Sequence, residues 1–296
     1  MTINQNCQYA ICFVFLSMWA AQCAHAVDFD NGDINNISSP LLISGSGSIQ
    51  DARVFDSTDG RTTTLNALTG AEINGIDSYN TSIINVYDGS LITSEIRALD
   101  QSLFNVFGGN LANANAEGSS ELNISGGSFT YSSGRVVGSF GDAVVNITGG
   151  VFTSENINTY SLLSNGDSII NVYNGSFNQE VRSNDTSMIN IWGGSGITDV
   201  TATSQSIIKI YGLDFNIDTI GAISLDTPFV ISDGTYNGDL LTGTLVNGTT
   251  ISADIFNGIS GSQIVLMQAV PLPAALWLFC SGLLGLIGIS RTKRSL

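Results

Sequence analysis

Ile84-Asn85-Val86-Tyr87-Asp88-Gly89 is the stretch on which the reading of this chain turns, because it keeps coming back. Further copies are Phe104-Asn105-Val106-Phe107-Gly108-Gly109, Leu122-Asn123-Ile124-Ser125-Gly126-Gly127, Val145-Asn146-Ile147-Thr148-Gly149-Gly150, Ile170-Asn171-Val172-Tyr173-Asn174-Gly175 and Ile189-Asn190-Ile191-Trp192-Gly193-Gly194. A weaker copy precedes them at Leu65-Asn66-Ala67-Leu68-Thr69-Gly70, and a decayed one follows at Ile208-Lys209-Ile210-Tyr211-Gly212. From Asn66 to Asn190 the intervals are 19, 20, 18, 23, 25 and 19 residues. A self-similar period near 20 is the signature of a solenoid.

Strand geometry explains each column of the motif. The residues flanking the Asn are apolar and share one face of a strand, so they point into a core. The Asn and the residue two positions later point the other way. The Gly four positions after the Asn supplies a corner, where a left-handed backbone is often needed. Two residues beyond that Gly stand Leu91, Leu111, Phe129, Phe152 and Phe177, expected as a second inward column. Each coil buries its stripe only when stacked on its neighbours. Helical periodicity is absent from the body. The expectation is all-β: a right-handed parallel β-helix over residues 40–225, with irregular outer loops. The hand follows from fold-level expectation alone. Residues 226–262 read as further strands or an edge cap, as in Phe229-Val230-Ile231 and Gly243-Thr244-Leu245-Val246; an uncapped solenoid edge invites aggregation. A β-sandwich is the alternative, but it would not repeat one motif so regularly.

Composition agrees with many short strands joined by tight turns. Hydrophobic residues make up 43%, so a core can be buried, and Gly (33) far outnumbers Pro (4). Net charge is −16, but three of the nine basic residues are Arg291, Lys293 and Arg294. Residues 27–270 hold 6 basic and 25 acidic residues. Such a body repels phosphate and argues against nucleic acid as a partner. The cysteines, Cys7, Cys12, Cys23 and Cys280, and the single histidine, His25, all lie outside it. The middle therefore has no disulfide framework, no thiolate or imidazole metal site and few nucleophile–base pairs.

The two ends carry targeting information. Ile11 to Ala21 is an apolar run of signal-peptide length, and Ala24-His25-Ala26 is a small-x-small site that places cleavage before Val27. The leader lacks Lys and Arg. Cys23 raises a lipoprotein reading, but Ala20-Ala21-Gln22 is a poor lipobox. At the other end Val270-Pro271-Leu272-Pro273-Ala274 leads into an uncharged run to Ile289, short for a transmembrane helix but adequate with its flanks. Trp277 suits an interfacial anchor. The basic stop of Arg291, Lys293 and Arg294 would remain cytoplasmic, leaving the acidic body outside.

A Pro-x-Pro, an apolar Leu- and Gly-rich helix and a basic terminus resemble the PEP-CTERM sorting signal of Gram-negative bacteria, in its VPLPA variant; Leu272 stands where the namesake motif has Glu. The resemblance covers residues 270–296 only. It implies recognition and removal of the tail by an exosortase, a membrane-embedded cysteine transpeptidase, and association with exopolysaccharide and biofilm matrix. An ordinary C-terminal anchor is the alternative. The resulting organisation is a signal peptide over 1–26, a β-solenoid surface domain over 27–262 and a sorting and anchor segment over 263–296. The expected route runs through the inner membrane, as an anchored precursor, to the cell surface or extracellular matrix.

Candidate sites lie on the outward columns. Tyr87, Phe107, Tyr173, Trp192 and Tyr211 form an aromatic row that can stack on sugar rings, or on one another. The Asn column (Asn85, Asn105, Asn123, Asn146, Asn171, Asn190) reads as a ladder of side-chain amides bonded coil to coil, broken by Lys209. The alternative is a row of contacts to a polymer's hydroxyls. Asp100, Asp142, Asp167 and Asp185 precede strands and could hold Ca²⁺, the one cofactor left open; the calcium-binding nonapeptide is missing, and Asp is an ordinary turn residue. No small-molecule cofactor is implied, and no other metal. Carbohydrate-active β-helices need paired carboxylates, or calcium with a basic residue. Arg53, Arg61, Arg97, Arg135, Arg182 and Lys209 fall in no recognisable constellation with carboxylates, so no catalytic residue is assigned. The expectation is a non-enzymatic structural or adhesive protein, with extracellular polysaccharide and the exosortase as partners. A β-helix polysaccharide lyase or glycoside hydrolase is the alternative, and a calcium-buffering matrix component a third, minor reading.

Overall fold

The structure, a computed structural model, describes residues 26–42, 49–156, 159–258 and 260–268. Residues 1–25 of the signal peptide expected over 1–26, and the sorting motif, apolar helix and basic stop after Gln268, lie outside the described residues, while Ala26 opens the first strand. Among the described residues all regular structure is strand, and no helix is long and apolar enough to cross a membrane.

The body is a β-solenoid of about eight turns with three sheet faces. Face A stacks the repeat strands in parallel: Ile34–Ile37, Thr64–Ala67, Ile83–Val86, Leu103–Val106, Glu121–Ile124, Val144–Ile147, Ile169–Val172, Met188–Ile191 and the start of Ile207–Ile217. Register is unbroken, so Asn66 pairs with Asn85, and each later Asn with the next. Face B carries short strands after the Gly corner, including Ser128–Tyr131, Val151–Ser154 and Ser176–Phe177. Face C completes the coil, from Ala26–Phe29 through Asp51–Val54 to Asp199–Ala202.

The alternation along each face A strand is the fold's driving force. Leu65, Ile84, Phe104, Leu122, Val145, Ile170, Ile189 and Ile208 point inward and are fully or almost fully buried, as are Val86, Val106, Ile124, Ile147, Val172, Ile191 and Ile210. On face B, Phe129, Phe152 and Phe177 stack inside the coil with centroids 5.0 Å apart. Such burial is worth about 1.5–3 kcal/mol per large side chain.

Leu91 departs from expectation. It is 39% exposed, and Ile92 takes the inward place, in register with Leu111. The corner from Tyr87 to Ser90 holds one residue more than the next coil's corner, and a one-residue slip turns a side chain to the opposite face.

Both ends are closed by chemistry the core lacks elsewhere. In the first coil Asn35 is buried where later coils place Leu, Ile, Phe or Val. Its amide donates to Asn31 Oδ1, Asp33 O and Thr64 O at 3.1, 3.2 and 3.3 Å. At the other end Asp239–Leu245 pairs antiparallel with both Ile207–Ile217 and Thr250–Asn257, and Phe229–Ser232 pairs antiparallel with Gln263–Gln268. Gln263–Gln268 also lies parallel to Ile207–Ile217, and Ile264 and Leu266 are buried. The folded body thus extends to Gln268, past the boundary expected at residue 262, because this last strand is hydrogen-bonded on both sides.

Candidate functional surfaces

Face A presents three outward columns. The central one is an amide ladder of eight asparagines, Asn36, Asn66, Asn85, Asn105, Asn123, Asn146, Asn171 and Asn190. In each of its seven links Nδ2 donates to Oδ1 of the preceding coil at 2.8–3.2 Å. The column is therefore structural in the way its spacing implied, and Lys209 follows Asn190 in register. Asn36 adds a rung that the motif does not reveal, because Asn35 occupies the position normally apolar.

The aromatic column is two separate stacks. Tyr87 lies on Phe107 with centroids 5.2 Å apart; Tyr173, Trp192 and Tyr211 stack at 4.8 and 4.7 Å with planes within 11° of parallel. Burial in this stack raises the Tyr211 hydroxyl above its ordinary pKa. Ser125 and Thr148 fill the two coils between the stacks. Rings that cover one another offer few free faces, so sugar stacking on every ring of the row does not fit this geometry. Phe107 and Tyr173 end the two stacks on either side of Ser125 and Thr148, and with Tyr87 they are the exposed rings of the row. The third column, Ile83, Leu103, Val144, Ile169, Met188 and Ile207, is apolar and half-buried, with exposed Glu121 in the gap coils.

At the corner leading into face A, a buried serine column ties coil to coil. Ser102, Ser120, Ser168, Ser187 and Ser206 each donate to a carbonyl of the preceding coil at 2.7–3.2 Å. The signal was present as Ser three positions before the Asn column. Two residues ahead of these serines the backbone is left-handed, at Asp100 and Asp185 among others (φ 57° and 58°). Their carboxylates accept from Asn80 N and Gly166 N. Asp167 is bonded by Thr186. These residues, read as calcium candidates, thus sit at turns in different coils; among the described residues no group of three acidic, His or Cys side chains converges.

Face C gathers the cations that seemed scattered. One outward row runs Asp28, Arg53, Asp77, Arg97, Asn115, Gly138, Leu163, Arg182, Thr201 and Phe256. Arg53 Nη2 lies 2.8 Å from Asp28, and Arg97 Nη2 lies 2.5 Å from Asp77. The hydrogen bonds that Arg97 donates to Asp77 raise its pKa above the ordinary value. Arg135 donates to Asn115 at 2.8 Å and packs over the Phe140 ring. Expected to form no constellation, four of the body's six basic residues share this face, because a coil of about 20 residues brings distant positions into one column.

Near its C-terminal end face C holds a cavity of about 240 Å³ lined by Glu180, Arg182, Asp199, Thr201 and Phe256. Arg182 Nε donates to Glu180 Oε1 at 2.8 Å, and Nη1 donates to the Tyr160 hydroxyl at 3.1 Å; the guanidinium stacks 4.7 Å above the Tyr160 ring. Thr198 donates to Asp199 Oδ2 at 2.6 Å. Val181 pairs with Val200, so Glu180 and Asp199 are neighbours on adjacent parallel strands, about 4.8 Å apart at the backbone. Repeat analysis of face A had no means of finding this pair. Comparison with family models, curated proteins and solved structures finds no match.

Proposed function

We propose that this chain is an exported cell-surface or extracellular-matrix protein, sorted by an exosortase and acting as a structural or adhesive component of an exopolysaccharide or biofilm matrix. The observation that carries this reading is the position of the folded body. Its strands run from Ala26 to Gln268. The small-x-small site at Ala24 and Ala26 meets the first residue of that body, and the Val270–Ala274 motif begins two residues after its last strand. Between them stands an acidic rod, taken as right-handed on the general rule for parallel crossovers. Its ladders satisfy their own polar groups, which suits display and multivalent weak contact. Of the aromatic row, Tyr87, Phe107 and Tyr173 are the exposed rings that could offer a glycan a face.

The test is the mass and location of the mature protein in cells with and without their exosortase. Sorting predicts a shortened C-terminus and a surface or matrix location only when the enzyme is present. An intact tail in both strains contradicts it and leaves a tail-anchored solenoid.

The carbohydrate-active enzyme reading has one observation in its favour, the Glu180 and Asp199 pair. Both line the same cavity from adjacent strands. Against it, Glu180 is committed to Arg182.

A further inference from the structure

The face C cavity differs in kind from the ladders around it. Elsewhere on this face polar side chains answer one another along the row. Here Thr201 is only 6% exposed and lines the cavity, yet its hydroxyl has no hydrogen-bond partner among the described residues. Beside it in register, Phe256 leaves 38% of its surface exposed. The hydroxyl and the ring thus offer one cavity both a polar and an apolar contact.

We propose that this cavity is a binding subsite for one uncharged hexopyranose unit. The apolar C–H face of the sugar lies on Phe256, whose ring face is electron-rich. Sugar hydroxyls donate to the carboxylates of Glu180 and Asp199, and the Thr201 hydroxyl and Arg182 answer the sugar oxygens. Arg182 is fixed by Glu180 and Tyr160 before any ligand arrives, so little side-chain order is lost on binding. Two carboxylates against one guanidinium leave the site acidic, within a body already rich in acid, which disfavours uronates and other anions. About 240 Å³ admits a single ring, below the roughly 300–1,000 Å³ of larger ligand pockets. The biological source of the sugar rests on the matrix reading above; the chemistry of the site does not depend on sorting.

The test is saturation-transfer NMR on the full-length chain in detergent, with the methyl glycosides of glucose, galactose, glucuronic acid and glucosamine as probes. The proposal expects signal from a neutral glycoside, at least five-fold weaker affinity in Thr201→Val and in Phe256→Ala, and no change in Tyr173→Ala. Thr201→Val keeps the side chain's shape, so it carries the test alone where Phe256→Ala fails to fold. Four results would overturn the proposal: no neutral glycoside binds; binding survives both substitutions; only the glucosaminide binds, and is lost in high salt; or a glycoside is hydrolysed, with activity lost in Glu180→Gln. None of these bears on tail cleavage, so sorting and this subsite stand or fall separately.

Discussion

Asp59 shows what a single side chain contributes in a chain with few cations. It lies in the loop after Asp51–Val54, bonded by the Ser57 hydroxyl and by Arg61 Nε at 2.9 Å. The Ser57 bond first, and Arg61 second, hold its carboxyl at about 2, below the ordinary 3.8. A carboxyl whose folded pKa is depressed stabilises the folded form above its unfolded value, and the contribution fades as pH falls through the folded one. The loop is therefore expected to loosen between pH 3.8 and about 2. NMR titration of the Asp59 carboxyl should give a midpoint near 2, moving toward 3.8 in Ser57→Ala; a midpoint unmoved by that substitution contradicts the assignment. At this scale the sequence is legible where a residue recurs and silent where partners come from different coils. The Asn column could be read because strand period and repeat period coincide. Asn36 could not, because its flanking Asn35 hides the pattern. Nor could the meeting of Glu180 with Asp199, since that depends on how many residues each corner consumes.

Among the elements, stacking converts weak local preference into a stable face. Each face A strand is four residues long in most coils, too short to persist alone. Its amide, aromatic and apolar columns form only across coils, and the amide column alone runs unbroken from Asn36 to Asn190. Asn146 illustrates the coupling: it donates to Asn123 at 2.9 Å and accepts from Asn171 at 2.9 Å. Asn146→Ala removes both links; because the neighbours are half-exposed, water compensates in part, and the expected loss is about 1 kcal/mol in chemical denaturation. A variant as stable as the parent would mean that the ladder contributes nothing beyond the backbone pairing. Corners were the least legible elements. The extra residue between Tyr87 and Ser90 turns Leu91 outward, and no local composition distinguishes that corner from the others.

As a whole molecule the body is a one-dimensional stack, polar at its first coil and covered by antiparallel strands at its last. Each coil touches only its neighbours, so stability passes along the axis through interfaces between coils. Display of such a rod outside the cell, as proposed, requires that the stack open as one unit and not coil by coil. Amide hydrogen exchange of the full-length chain reads that cooperativity strand by strand. The strands Leu103–Val106, Glu121–Ile124, Val144–Ile147, Ile169–Val172 and Met188–Ile191 are expected to exchange as one slow block. The first coil, Ala26–Phe29 and Ile34–Ile37, should exchange faster. Fast or independent exchange of the five central strands would contradict the continuous stack on which every later inference depends.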